Sequence, residues 1–195
     1  MEFRHSKTMV NLMKSFAGES QARNRYTFFA SKARKEGFRQ IEGIFEETAA
    51  NEKEHAEVFY KLILEFNKET VDNIEITAGF PCVLGDTLEN LEAAAAGEHE
   101  ENTVLYPEFA RIAKEEGFEK IAVAFREISE VEEAHEKRYR KLIESVKGGT
   151  VFKKDEVVKW KCRNCGYIHE GKEAPNLCPA CAHPQEYYEV LCENY

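Results

Sequence analysis

The sequence predicts a mainly α-helical protein, in which a four-helix bundle made of two similar halves precedes a small β domain stapled by a metal ion. Glutamate and histidine interrupt two apolar stripes of helical period at the same relative height, at Glu52 and His55 and again at Glu132 and His135. Short motifs recur 79 or 80 residues apart, which indicates an internal duplication. Two Cys-x-x-Cys pairs follow the flexible joint at 148–150.

Composition excludes several classes of function. The chain has 195 residues and a net charge of −9, whereas non-specific binding to nucleic acids or anionic membranes needs a basic surface. No apolar run approaches the roughly 20 residues of a membrane span, and Met1–Val10 is too polar for a signal peptide. Residence in the cytoplasm, with no nucleic-acid or membrane partner, is therefore expected. Cys82 and Cys192 lie outside the cysteine pairs, and we expect them to be small buried or half-buried residues.

The first two helices are predicted over about 8–36 and 39–66 from their apolar periodicity, with Gly37 ending the first. So short a link makes the two pack as an antiparallel pair. The following stretch, 67–85, has no helical period and is long enough to cross the length of the bundle. A crossover topology is therefore possible.

The third helix begins at Asp86 or Thr87, either of which can cap it, and ends at Gly117. Pro107 lies inside its pattern and predicts a kink or local break one turn beyond the carboxylates. The fourth helix is predicted over about 119–146.

The two halves match motif by motif. An Ala-Gly-Glu motif ends at Glu19 and recurs 79 residues later at Glu98, whereas the Glu-x-x-His motifs are 80 residues apart. One residue is therefore gained between the paired motifs. Glu101 breaks the symmetry, because Ala22 stands at the equivalent position three residues after Glu19.

The stripes turn five carboxylates and two imidazoles toward the inside of the bundle. A buried carboxylate costs several kcal/mol unless it is paired or binds a metal. Glutamates from two helices and Glu-x-x-His from the other two make the ligand set of ferritin-like sites with two metals, and such ligands suit iron or manganese. Two divalent ions leave one carboxylate charge over, which matches the extra Glu101. If these were ordinary surface glutamates, their common level on apolar stripes would be unexplained. The candidate ligands and catalytic residues are Glu19, Glu52, His55, Glu98, Glu101, Glu132 and His135.

Tyr26 and Tyr106 occupy equivalent inward positions about two turns beyond Glu19 and Glu98. Two interpretations stay open. Both tyrosines can be core aromatics with a hydrogen-bonded hydroxyl, or they can orient the carboxylates and donate a proton.

The C-terminal stretch 148–195 forms a second domain after the bundle at 1–147. It contains β-like pieces at 156–161 and 187–191, and it is too short to build a large core without a metal or disulfide staple. Two cysteine pairs predict a tetrahedral site for zinc or iron, which their spacing does not separate. The flanking Trp160, the Cys-Gly-Tyr and Cys-Pro-Ala-Cys contexts and the redox iron expected in the bundle favour iron. The ligands are Cys162, Cys165, Cys178 and Cys181.

With both sites in place, the chain from about residue 8 to residue 195 resembles the rubrerythrin family, in which a ferritin-like di-iron bundle precedes a rubredoxin-like domain. The resemblance rests on both Ala-Gly-Glu motifs, both Glu-x-x-His motifs, Glu98-x-x-Glu101 and both cysteine pairs. It implies a non-haem peroxidase that reduces hydrogen peroxide to water, with two irons in the bundle and one on the cysteines. It also implies an external NAD(P)H-dependent reductase or rubredoxin as electron donor. The family further implies a homo-oligomer, a dimer or larger, with the rubredoxin site of one subunit near the di-iron site of another.

The resemblance also implies a role for each ligand of the bundle. Glu52 and Glu132 are expected to bridge the irons, and Glu19 and Glu98 are expected to be terminal ligands. His135 is expected to bind one iron, while His55 and Glu101 alternate on the other.

Ala182 departs from the pattern, since the turn after the second cysteine pair of a rubredoxin usually carries glycine at a positive φ. Alanine there is expected to cost about 1–2 kcal/mol or to shift the turn.

Two other functions are compatible with the sequence. A ferritin-like ferroxidase or iron-handling protein would oxidise and retain iron beyond the stoichiometry of the site. A zinc-ribbon interaction module on a structural bundle would be colourless, and it leaves the buried carboxylates without a purpose.

Overall fold

The structure, a computed structural model, describes residues 2–67 and 73–194 of the chain. The four predicted helices are confirmed with ends within two residues, and the third is divided by a π-helical turn. The elements of the bundle are α1 (Lys7–Lys35), α2 (Arg39–Phe66), α3 (Thr87–Glu100), the π segment (Glu101–Leu105), α4 (Tyr106–Glu115) and α5 (Glu119–Lys147).

Both halves turn the chain back in the same way after the first helix. Gly37 and Gly117 have φ angles of +81° and +88°, a left-handed conformation that glycine adopts without a steric penalty. The N–H of the next residue donates back to the helix, from Phe38 to the Ala33 carbonyl at 2.9 Å and from Phe118 to that of Ala113 at 2.8 Å. Each helix pair is thereby antiparallel, as predicted.

Each half also caps a helix of the other half. The Glu36 carboxylate, at the end of α1, accepts hydrogen bonds from the N–H and hydroxyl of Thr87 at 2.8 and 2.5 Å. The equivalent Glu116 accepts from the N–H and hydroxyl of Thr8 at 2.9 and 2.6 Å. Acidic groups are favourable at helix N-termini, so these exchanged caps fix the two halves about a pseudo-twofold axis.

The connection from α2 to α3 crosses the length of the bundle. The Phe66 ring lies 5.9 Å from the Phe118 ring, which places the end of α2 beside the start of α5. Thr87 binds Glu36 at the opposite end. The structure therefore has the crossover topology, which the sequence had left open. Residues 68–72 of the connection lie outside the described part, and residues 73–85 form neither helix nor strand.

Two apolar clusters lie on either side of the glutamate and histidine layer. One contains Leu12, Phe59 and Phe125, all with no exposed surface. The other surrounds the rings of Phe29 and Phe45, which meet edge to face with their centroids 5.5 Å apart. The polar layer between them is therefore shielded from water along the bundle axis.

The local break predicted from Pro107 takes the form of the π segment immediately before it. The Tyr106 N–H donates to the Glu101 carbonyl, five residues earlier, and Pro107 then stands in the first turn of α4. Proline has no N–H to donate and fits best in a first turn. The helix therefore continues through the break, and the turn at the π segment contains one residue more than an α-helical turn.

The tail forms a three-stranded antiparallel sheet in the order β2-β1-β3, with β1 at Lys153–Cys162, β2 at Ile168–Glu173 and β3 at Tyr188–Val190. The predicted pieces overlap β1 and β3. The prediction missed β2, because its sequence Ile-His-Glu-Gly-Lys-Glu has no apolar alternation. Trp160 is fully buried and donates from Nε1 to the Gly171 carbonyl at 3.0 Å, which anchors β1 against β2.

The tail contacts the turn between α1 and α2. The rings of Phe38 and Phe152 stack 6.2 Å apart, and Arg39 donates from Nη2 to the Tyr187 hydroxyl at 2.6 Å and from Nε to Glu186 at 3.3 Å. In the described part of the chain, no helix combines the length and the apolar character needed to cross a membrane.

The expectation that Cys82 and Cys192 are buried or half-buried is wrong, since both are exposed. Cys82 lies in the irregular crossover connection, and Cys192 follows β3 beyond the sheet. Neither position belongs to an apolar stripe, so no core element covers it.

Candidate metal centres

The bundle brings its candidate ligands together in two overlapping groups. Glu19, Glu52, His55 and Glu132 form one group, with a ligand atom of each within 4.8 Å of all the others. The second group has the same property and contains Glu52, Glu98, Glu132 and His135. The two groups share Glu52 and Glu132, as expected for carboxylates that bridge two metals.

The two histidines face these carboxylates in matching ways. His135 Nδ1 lies 2.9 Å from Glu132, 3.3 Å from Glu52 and 3.6 Å from Glu98. His55 Nδ1 lies 3.0 Å from Glu132, 3.1 Å from Glu52 and 4.0 Å from Glu19. The Nδ1 atom of each histidine thus lies close to three carboxylates, which is how ligand atoms are arranged around a metal ion.

Many buried oxygen and nitrogen atoms of this layer have no hydrogen-bond partner among the described residues. The four glutamates of the two groups are at most 1% exposed. Despite this burial, one oxygen each of Glu19, Glu52 and Glu98, both oxygens of Glu132 and His135 Nδ1 have no hydrogen-bond partner within the described residues. Unpaired buried charges cost several kcal/mol each, so the atoms present fit metal ions far better than an empty core.

The electrostatics of the cluster show how it compensates when no cation is bound. Burial would lower the pKa of both histidines, but the adjacent carboxylates raise it to about 9 for His55 and about 12 for His135. Burial raises the pKa of Glu98 to about 8. For Glu52 the effect of burial is outweighed by the adjacent imidazoles of His135 and His55, which lower its pKa to about 2. Protons on the ligands thus provide the positive charge that metals otherwise bring.

The two inward tyrosines hold carboxylates of the opposite half. The Tyr26 hydroxyl, on α1, donates to Glu98 Oε1 at 2.5 Å, and the Tyr106 hydroxyl, on α4, donates to Glu19 Oε1. Burial, and then the adjacent carboxylates, raise the pKa of both tyrosines well above 10, so both remain neutral donors. Each hydroxyl occupies one oxygen of a terminal carboxylate and leaves the other to face the cluster.

Glu101 lies outside both ligand groups. Its residue is half-buried in the π segment and lines a cavity of about 300 Å³. Tyr106, Gly18 and Arg25 line the same cavity, and Phe80 of the crossover connection forms part of its wall. The surplus carboxylate therefore stands between the ligand cluster and a space large enough for a small substrate.

The extra residue of the second half falls in the π segment. Tyr26 follows Glu19 by seven residues, whereas Tyr106 follows Glu98 by eight. The added residue therefore lies between Glu98 and Tyr106, and the structure accommodates it as a wider helical turn.

Three polar residues around this turn were not singled out from the sequence. Asn102 donates from Nδ2 to the Glu98 carbonyl and to Glu136 Oε2, both at 2.8 Å, and the Ser129 hydroxyl donates to the Asn102 carbonyl at 3.0 Å. The change of offset between the two halves is the sequence signal that could have directed attention to them.

The four cysteines of the tail form a second compact cluster. Cys162 Sγ and Cys181 Sγ are 3.8 Å apart, and Cys165 Sγ and Cys178 Sγ are 3.7 Å apart, too far for disulfides. A tetrahedron with metal–sulfur distances of about 2.3 Å has edges of about 3.8 Å. The sulfur atoms thus have the spacing of a tetrathiolate metal site.

The two turns at this site have the same hydrogen bonds. The Gly166 N–H donates to the Cys162 carbonyl and the Ala182 N–H donates to the Cys178 carbonyl, both at 2.8 Å. Gly166 has φ +79° and Ala182 has φ +55°. Alanine therefore takes the left-handed conformation in which glycine was expected, and the turn is kept rather than shifted.

Comparisons with known proteins agree with both sites. The rubrerythrin family model matches residues 10–143, and the model described as the rubredoxin-like domain of rubrerythrin matches residues 160–189. The chain is 56% identical to rubrerythrin-1 of Clostridium acetobutylicum and 58% identical to the rubrerythrin of Clostridium perfringens, with 97% of each chain covered in both cases. A solved structure of nigerythrin in a partially reduced state is 32% identical, with a TM-score of 0.64 over 96% of this chain and 90% of that one. The bundle thus contains a ferritin-like di-iron carboxylate and histidine site, and the tail contains a rubredoxin-like four-cysteine cluster.

Proposed function

The chain belongs to the rubrerythrin family, and on that premise we propose that it is a non-haem peroxidase that reduces hydrogen peroxide to water. The observation that carries the proposal is the asymmetry of the bundle. Glu101 and the cavity of about 300 Å³ stand on one side of a cluster that is otherwise symmetric. An asymmetric site with a built-in electron carrier favours repeated turnover over mineral deposition.

In the proposed reaction, hydrogen peroxide takes up two electrons and two protons and gives two molecules of water. When bound, the two irons supply the two electrons that cleave the O–O bond. Glu52 and Glu132 bridge the two positions, while Glu19 and Glu98 are terminal ligands held by the Tyr106 and Tyr26 hydroxyls.

The remaining ligands distinguish the two metal positions. His135 would hold a metal at one position, and His55 or Glu101 would hold a metal at the other. Glu101 lies on the cavity wall beside Tyr106, where either group can donate a proton to a substrate that enters.

Electrons are proposed to reach the bundle one at a time from iron on the four cysteines of the tail. A site fixed by two hydrogen-bonded turns changes little in geometry on reduction, which suits electron transfer. An external NAD(P)H-dependent reductase or a rubredoxin then supplies new electrons to the four-cysteine site of the tail. We place the protein in the cytoplasm as a homo-oligomer, in which the tail of one subunit serves the bundle of another.

The test is anaerobic stopped-flow with fully reduced protein, mixed with stoichiometric hydrogen peroxide or with dioxygen. We expect the red ferric-thiolate absorbance to return rapidly with peroxide and slowly with dioxygen. The variant Cys162→Ser should still show one fast oxidation of the bundle but no turnover, because the relay is broken. Cys192→Ser, at an exposed cysteine outside the cluster, is the matched control and should behave as the unsubstituted protein.

Three outcomes would overturn parts of this proposal. Undiminished steady-state peroxidase activity in Cys162→Ser would refute the relay. An equal or faster reaction with dioxygen, together with iron retained beyond the site stoichiometry, would favour a ferroxidase or iron-handling role. Absence of red colour would mean that the tail holds zinc.

A further inference from the structure

We propose that Asn102 is a positioning residue that holds the π segment in one register through Glu136 and Ser129, and so directs Glu98 and Glu101 to the metal centre. The inference concerns metal binding by the bundle. It can therefore fail while the peroxidase proposal stands, and the reverse is also true.

The contacts of Asn102 join three parts of the bundle. Its amide nitrogen bridges the Glu98 carbonyl and the Glu136 carboxylate at 2.8 Å each, which links α3 to α5. Its own carbonyl accepts from Ser129 at 3.0 Å, which makes a second link to α5. One side chain thus connects the backbone of the ligand Glu98 to the helix that carries the ligand His135.

Glu136 is itself held firmly. The carboxylate accepts from Arg140 Nε at 2.6 Å, and its two oxygens lie 3.1 Å from His99 Nδ1. The residue is 9% exposed. A carboxylate held at this many points is a rigid acceptor, so Asn102 is fastened to a fixed part of α5.

The internal duplication provides a comparison within the same molecule. At an offset of 80 residues, Ser129 corresponds to Ala49 and Glu136 corresponds to Ala56, both of which are buried. The first half has no added residue, and its α1 runs without interruption from Lys7 to Lys35. The half that contains the extra residue therefore also contains the polar partners that fasten it, and the other half has alanine in their place.

Register matters because one residue corresponds to about 100° of rotation around a helix. The extra residue must be absorbed somewhere between Glu98 and Tyr106 if both are to face inward, since each hydroxyl and each terminal carboxylate is paired across the bundle. A wide turn that moved along the helix by one residue would rotate Glu101 away from the cavity. Asn102 ties the beginning of the turn to α5 and prevents this movement.

The experiment measures metal binding rather than activity. Metal-free full-length protein would be titrated anaerobically with Fe²⁺, and in parallel with redox-inert Mn²⁺, in the unsubstituted protein and in Asn102→Ala. Asn102→Asp serves as a second variant of nearly the same shape, which cannot donate to Glu136. The matched control is Asn24→Ala, because Asn24 on α1 also donates from Nδ2 to a carbonyl four residues earlier, that of Ser20 at 2.9 Å, but lies in the half without the insertion.

We expect Asn102→Ala and Asn102→Asp to weaken one of the bundle's two stepwise metal affinities by 10- to 100-fold, as loss of a ligand-orienting partner typically does. The affected step is that of the position with Glu98 and His135, because His55 can replace Glu101 at the other position. The other step and the melting temperature of the metal-free protein should change little. Asn24→Ala should leave both steps unchanged, and Glu136→Gln, which keeps an acceptor oxygen toward Asn102, should retain most of the affinity. Two unchanged affinities in either Asn102 variant would overturn the proposal. So would a loss of metal-free stability that lowers both steps equally, since Asn102 would then have only a general structural role.

Discussion

Removal of the metals is expected to leave a bundle whose stability falls as the pH rises above 4.5, and most steeply above 6.5. In the folded metal-free protein the pKa of Glu98 is about 8, that of His55 about 9 and that of His135 about 12. In the unfolded chain these values return to about 4.5 for glutamate and 6.5 for histidine. All three are raised on folding, so the folded state binds more protons than the unfolded state. The stability they provide is present below the unfolded pKa values and is lost as the pH rises through the folded ones.

The size of the effect follows from the number of protons. Each proton bound only by the folded state contributes a slope of about 1.4 kcal/mol per pH unit. Between pH 6.5 and 8 the three groups together account for between two and three protons, which gives about 3 kcal/mol per pH unit if they titrate independently, and about 1.4 if the cluster takes up a single shared proton. Small domains are stable by about 5–15 kcal/mol in total, so such a slope would be a large fraction of the stability.

The acid side has the opposite sign. Burial would raise the pKa of Glu52, but the adjacent imidazoles of His135 and His55 lower it to about 2. Its contribution is therefore present above about pH 4.5 and is lost as the pH falls toward 2. Because the contribution of Glu98 is already being lost above pH 4.5, the metal-free bundle should be most stable near pH 4.5.

Urea unfolding of chelator-treated protein, followed by circular dichroism at 222 nm, would measure this slope, because the helical signal reports the bundle rather than the tail. His55→Gln should reduce the slope by up to about 1.4 kcal/mol per pH unit, which is the contribution of one proton. His5→Gln, at an exposed imidazole outside the cluster, should leave it as in the unsubstituted protein. Metal-loaded protein should show a much shallower slope, since the metals displace these protons. A flat or rising stability of the metal-free protein between pH 6.5 and 8 would refute the reasoning.

Two further predictions concern single side chains. Tyr106→Phe removes the hydroxyl that donates to Glu19, and it should weaken Fe²⁺ binding in anaerobic titration by about 10- to 100-fold. Tyr26→Phe, which removes the donor to Glu98, should have an effect of similar size. Unchanged binding in both variants would show that the hydroxyls are core groups with no role in metal binding. Ala182→Gly should relieve the strain of the left-handed conformation at φ +55° and stabilise the tail by about 1 kcal/mol. The stabilisation should be seen as slower release of the tail's metal to a chelator. Faster release would show that the strain does not lie at Ala182.

The sequence was informative wherever burial and periodicity act together. The helix ends follow from Gly37, Gly117 and the cap at Asp86, whose side chain accepts from the Glu89 N–H at 2.9 Å. The ligand layer was predictable because a carboxylate on an apolar stripe conflicts with its surroundings unless a cation is present. Local propensity and large burial penalties point to the same structure at these positions.

The rest depended on contacts that no local pattern records. The strand β2 is polar along its whole length and exists because its backbone pairs with β1 around Trp160. The π segment has no sequence signature of its own, since its hydrogen bonds differ from those of an α-helix by a single position. Its stabilising partners, Glu136 and Ser129, lie on a different helix.

A duplicated bundle on its own produces a symmetric site, in which two equivalent positions share Glu52 and Glu132. Symmetry of this kind is enough to bind two metals, but it gives a substrate no preferred side from which to approach. Two differences remove the equivalence: one added residue widens a single turn, and Glu101, where the first half has Ala22, stands on the wall of the cavity. The ligand pairs inherited by both halves therefore account for metal binding. The departure from symmetry, which we propose is fastened by Asn102, supports the proposal that a substrate approaches from the side of the cavity.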